Sequence, residues 1–123
     1  MKTYQDFVRE AKARIREIDP AAARARFDAD DGCVFLDVRE RDEIEKGTVP
    51  GSIAMPRGLL EGHAAETIPS LDFELIVLCE KGNRSALAAV TLHEIGFTRV
   101  TSLAGGILAW IAAGHPVGEA RVL

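Results

Sequence analysis

The amino-acid sequence predicts an α/β fold, a small and mostly parallel five-stranded sheet flanked by helices, on three observations. Short apolar runs alternate with helical segments along the chain, at spacings that suit right-handed crossovers. The run "FELIVLC" is apolar without alternation, the pattern of a strand buried on both faces of a parallel sheet. No internal repeat, low-complexity tract or linker interrupts the pattern, so one domain is expected over residues 1–123.

The elements follow in order. "TYQDFVREAKARIREI" places Tyr4, Phe7, Val8, Ala11 and Ile15 at helical spacing with charged residues between them, an amphipathic helix. Residues 1–15 therefore read as a helical extension, and 16–118 as the core of the domain. A short extended piece over Arg16 to Ile18 gives way to a helix from "DPAAARARF". There Asp19 can cap and Pro20 can take the first helical position, where its missing N–H costs nothing. "CVFLD" is a short apolar strand, and "VRERDEIEKG" a charged turn or short helix ending near Gly47. "TVPGSIAMP" reads as a Pro-Gly turn and a further strand. "RGLLEGHAAETIPSL" reads as one or two short helices with Leu59, Leu60 and Ile68 in the core. After "FELIVLC" come a helix closed by Gly96, the strand "FTRVTSL", and a last helix from "GGILAWIAAG" ended by Gly114 and the His-Pro pair. Trp110 and Ile111 of that helix are expected in the core.

Composition narrows the function. With 47% apolar and 28% charged residues, 123 residues suffice for a core without metal or disulfide staples. A formal charge of -4 gives no reason to expect nucleic acid or an anionic membrane as partner. No apolar run approaches bilayer length, and the start lacks the apolar segment of a secretory leader. Two cysteines, Cys33 and Cys79, make no disulfide framework, so a reducing, cytoplasmic setting is expected. His63, His93 and His115 have no metal-ligand spacing, and "LAGGILAW" lacks the spacing of a dinucleotide fingerprint. Neither metal nor cofactor is expected.

The informative segment is "CEKGNRS". Cys79 ends the most apolar strand, where it is either a last core residue or a nucleophile. Ligands of open α/β sheets bind beyond the carboxyl ends of the strands. The helix that begins near Arg84 and Ser85 points its free N–H groups back toward Cys79, and its dipole favours an anion there. Gly82 permits a turn that brings successive amides inward, Arg84 adds a planar fork of donors, and Lys81 adds charge partly offset by Glu80. Together they favour a thiolate.

"CEKGNRS" resembles the active loop of the rhodanese family of sulfurtransferases, Cys-x-x-Gly-x-Arg-Ser/Thr. "FLDVRERDEIEKGTVPGSIAMP" and "LAGGILAWIAAGHPV" resemble two further segments of that family, in the same order, from about Ile18 to Val117. The resemblance implies that Cys79 takes a sulfane sulfur from thiosulfate or a related donor as a persulfide. It then passes that sulfur to cyanide, a thiol or a sulfur-accepting protein. It implies an anion-binding loop of Glu80, Lys81, Gly82, Asn83, Arg84 and Ser85, with Ser85 also placed to cap the next helix. Asp37 and Arg39 of the "DVR" element would brace the loop.

The pattern departs at three points. Thr48 stands where the family has histidine, which implies a small packing or hydrogen-bond change; Ile107 stands where an aromatic is common. Glu80 follows the cysteine where many members carry a neutral or basic residue, and a carboxylate there weakens anion attraction. The alternative to a transferase is thus a non-catalytic rhodanese-like module that binds an anion or partner, or senses sulfur. Four residues separate Cys79 from Arg84, one fewer than in the Cys-x-x-x-x-x-Arg loop of tyrosine phosphatases, which argues against phosphate chemistry.

Overall fold

The computed structural model describes residues 1–122. One sheet in the order β1-β5-β4-β2-β3 runs through it, with every neighbouring pair parallel. Its strands are β1 (Arg16–Ile18), β2 (Val34–Asp37), β3 (Ile53–Ala54), β4 (Glu74–Leu78) and β5 (Arg99–Leu103). The helices are α1 (Tyr4–Arg14), α2 (Pro20–Ala29), α3 (Arg41–Glu45), α4 (Leu60–Thr67), α5 (Asn83–Ile95) and α6 (Gly106–Ala112), with a 3₁₀ turn at Arg57–Leu59. Asp19 caps α2 by accepting from the Ala22 amide at 2.8 Å, and Pro20 opens that helix as expected.

The central strand β4 has no exposed residue from Leu75 to Leu78, and alternate side chains feed two cores. Leu75, Val77 and Cys79 face one side, with Leu36, Leu60, Ala88, Ala89 and Leu92. Ile76 and Leu78 face the other, with Phe35, Leu103, Ile107 and Trp110. Trp110 is fully buried, meets Phe27 and Phe35 edge to face at centroid distances of 5.8 and 5.9 Å, and donates from Nε1 to the Pro116 carbonyl at 2.7 Å. That placement leaves Trp110 no surface to offer a partner.

Three readings need correction. Only Val8 and Ala11 of the α1 stripe are buried; Tyr4 and Phe7 stay half exposed, because α1 lies on α5, itself an outer layer. Ile111 is half exposed, since α6 turns only the Ile107 and Trp110 side inward. Ser85 does not cap α5: Gly82 holds the cap position with φ +98°, and the Ser85 hydroxyl is engaged elsewhere.

Candidate active site

Everything singled out around Cys79 lies at or beyond the carboxyl ends of β2, β4 and β5. Cys79 directly follows β4 and is 1% exposed. Its sulfur accepts hydrogen bonds from the Gly82 amide at 3.1 Å and the Ser85 amide at 3.3 Å. The thiol in turn reaches Ser85 Oγ at 3.3 Å, and that hydroxyl pairs with the buried Ser102 Oγ at 2.8 Å. Sulfur is thus surrounded by groups that can donate to it.

The first half of the loop is held by a brace from α6. The first free amides of α6, on Ile107 and Leu108, donate to the carbonyls of Cys79 and Glu80 at 2.8 and 3.2 Å. Those two bonds fix the backbone of Cys79 and Glu80 against α6. Such an approach needs a residue without a side chain. At Gly106, where φ is +62°, a Cβ would stand 2.3 Å from the Glu80 oxygen and 2.6 Å from that of Cys79. At Gly82 a Cβ would crowd the Gly105 amide at 3.2 Å. The Gly-Gly pair that the sequence offered only as part of a resemblance is therefore the packing partner of the loop.

Asp37 and Arg39 form a buried ion pair. Arg39 Nη2 donates to Asp37 Oδ2 at 2.8 Å and Nε to Oδ1 at 3.1 Å. Asp37 also accepts from the Arg39 amide at 3.1 Å and from Thr48 Oγ1 at 2.7 Å, while Arg39 Nη2 donates to the Gly47 carbonyl at 2.7 Å. The pair grips the Gly47–Thr48 turn; its tie to the cysteine loop is indirect, through the Val38 amide on the Leu78 carbonyl at 3.0 Å. Thr48, fully buried, supplies a donor to Asp37 in place of the histidine absent at this position.

Arg84 is already partnered. Its Nη1 and Nη2 grip both carboxylate oxygens of Glu43 at 2.8 and 2.9 Å, with side-chain exposures of 34% and 25%. Hydrogen bonding from Arg84 holds the Glu43 carboxyl down at about 2, and Glu43 pushes the Arg84 guanidinium upward. Glu43 also accepts from the Glu40 amide at 3.1 Å within a capping box that opens α3. Glu43, like Ser102, is a site residue that sequence reading missed. Its signal was the capping spacing from Glu40 together with its place four residues after Arg39, on the helix that leaves the site. Glu80 is half-buried near the guanidinium, and Lys81 is exposed.

Cys33 is elsewhere. It precedes the Val34–Leu75 pair, and Cys79 lies five residues further along β4. At a rise of about 3.3 Å per residue the two residues are offset by about 16 Å along the strands, and they pack on opposite faces of the sheet, far beyond disulfide reach. Burial, with help from the Glu74 carboxylate, pushes the Cys33 thiol up to about 12.

A sequence profile of the rhodanese-like domain matches residues 19–113. The chain belongs to the rhodanese family. Within it, the chain is 32% identical over 103 residues to a sulfurtransferase of Allochromatium vinosum, covering 84% of this chain and 94% of that one. It is 35% identical over 101 residues to YrkF, a candidate sulfur carrier protein of Bacillus subtilis, but spans only 54% of that protein's length. A Rhodopseudomonas palustris protein of unknown function, considered a possible tyrosine phosphatase, superposes with a TM-score of 0.87 at 31% identity over 96% of both chains. The Pseudomonas aeruginosa thiosulfate sulfurtransferase superposes with a TM-score of 0.84 at 27% identity, over 94% of this chain and 22% of that one. Among the described residues no helix is long and apolar enough to cross a membrane.

Proposed function

We propose that this rhodanese domain moves sulfane sulfur as a persulfide on Cys79. The observation that carries the reading is the convergence of the Gly82 and Ser85 amides on one sulfur atom at a strand end. A thiolate there attacks the outer sulfur of a donor; that sulfur's bond to the donor breaks, and the donor leaves with the electron pair. Attack by cyanide or a thiolate on the same outer sulfur then returns Cys79 to its starting state. The Ser85–Ser102 hydroxyl pair can reverse direction, accepting from the thiol and donating to the thiolate, so proton loss leaves no buried hydroxyl stranded. Asp37 and Arg39 hold the turn beside the loop and take no part in proton transfer. The relatives named for sulfur transfer and sulfur carriage are consistent with this chemistry. Against phosphatase chemistry stands the short loop, with four residues between Cys79 and Arg84.

A second reading, a module that binds an anion or partner or senses sulfur without turnover, draws support from one specific feature. Cys79 is 1% exposed and Arg84 is spent on Glu43, the state of a closed site. Turnover separates the two. Sulfur transfer from a persulfide or thiosulfate to cyanide is expected for the natural chain and only background for Cys79→Ser. Equal activity in both proteins, or in neither, contradicts the transferase.

A further inference from the structure

The charges at the mouth of the loop decide which sulfur donors it accepts. The cations there are Arg84 and Lys81, and the carboxylates are Glu43 and Glu80, so the formal charges cancel. The cancellation is spatial for Arg84. Two of its five N–H donors are held by Glu43 at 2.8 and 2.9 Å, and the charges of both Glu43 and Glu80 act on its guanidinium. Glu43 cannot easily swing aside, because its Oε1 also closes the capping box on the Glu40 amide at 3.1 Å. A dianion approaching Cys79 therefore gains no net attraction from these four side chains and has only the loop amides to meet it, whereas a donor with one charge or none loses little.

We infer that Glu43 and Glu80 together select alkyl persulfides, R–S–SH, over thiosulfate as the sulfur donor, an inference that rests on the sulfur-carrying role of Cys79. With a persulfide the Cys79 thiolate bonds to the outer sulfur, the S–S bond breaks, and R–S⁻ leaves with the electron pair and takes a proton from water. The products are the Cys79 persulfide and one thiol, with no outside oxidant or reductant. Glu43 acts through Arg84 and is a positioning residue; Glu80 acts by its charge at the loop.

The test is single-turnover loading of Cys79, followed by mass, from 2-hydroxyethyl persulfide, which carries at most one negative charge, and from thiosulfate. The natural chain is expected to load faster from the persulfide. In Glu43→Gln and in Glu80→Gln one negative charge is lost while shape is kept. The thiosulfate-to-persulfide rate ratio is expected to rise about tenfold in each, through a lower half-saturating thiosulfate concentration. A ratio unchanged in both variants, or a natural chain that loads faster from thiosulfate, overturns the inference. Equal slowing with both donors in Glu43→Gln also overturns it, since Glu43 would then only hold Arg84 in place. If neither donor loads the natural chain, the sulfur-carrying role fails first and the selection falls with it.

Discussion

The two ends of the parallel sheet each hold one of the chain's two cysteines, in opposite surroundings. At the amino end Cys33 is half-buried beside Glu74, and its thiol is pushed up to about 12. At the carboxyl end Cys79 is buried more deeply, yet two backbone amides point at its sulfur. Burial alone disfavours a thiolate; burial lined with oriented N–H groups favours one. The difference is topological. The carboxyl ends of parallel strands run into helix amino ends, so free amides gather there, while the amino ends receive helix carboxyl ends and side-chain ion pairs such as Arg26 with Glu74 at 2.9 Å.

The largest test of that contrast is to remove one ion-pairing side chain from each end. Asp37→Ala strands Arg39, which is 6% exposed, and leaves the Thr48 hydroxyl and the Gly47–Thr48 turn without their anchor. A loss of about 3–5 kcal/mol in chemical denaturation is expected. Arg26→Ala breaks an exposed pair to Asp31 and a partly buried one to Glu74 at the rim, and is expected to cost far less than Asp37→Ala. Similar losses in the two variants would mean that the carboxyl end is not specially built.

A smaller effect sharpens the picture through pH. The Glu43 carboxyl is held at about 2 in the folded chain, below its ordinary 4.5, chiefly by hydrogen bonds from Arg84. The folded state therefore binds fewer protons than the unfolded one between these values. The contribution of this pair is complete above pH about 4.5 and is lost as pH falls through about 2. The stability gap between the natural chain and Glu43→Gln should be constant from pH 7 to about 5, then shrink toward pH 2. A gap that does not change with acid would mean that the carboxylate does not bind Arg84 in solution.

How much of this was legible in the sequence follows from where each signal sits. The sheet was legible because apolar runs such as "FELIVLC" carry their own periodicity, and the Asp19-Pro20 helix start because capping is local. Cys79, Gly82 and Arg84 share seven consecutive residues, so their association needed no tertiary information. Glu43 lies 41 residues from Arg84, inside a charged run that reads as solvated surface; only the fold brings α3 against the loop. Gly106 was visible as a glycine, but not as the point where α6 touches the Cys79 and Glu80 carbonyls, since that contact spans the β4–α5–β5 crossover. Tyr4, Phe7 and Ile111 misled for the converse reason. Helical spacing gives a stripe but not what, if anything, covers it.

The most direct measurement is peptide-resolved mass spectrometry after brief treatment with a persulfide donor. One added sulfur, about 32 Da, on the peptide containing Cys79 and none on that containing Cys33 is the expected result, with the mass removed by cyanide. Sulfur on Cys33, or on neither cysteine, would contradict the account that oriented amides rather than burial make the sulfur-carrying thiol.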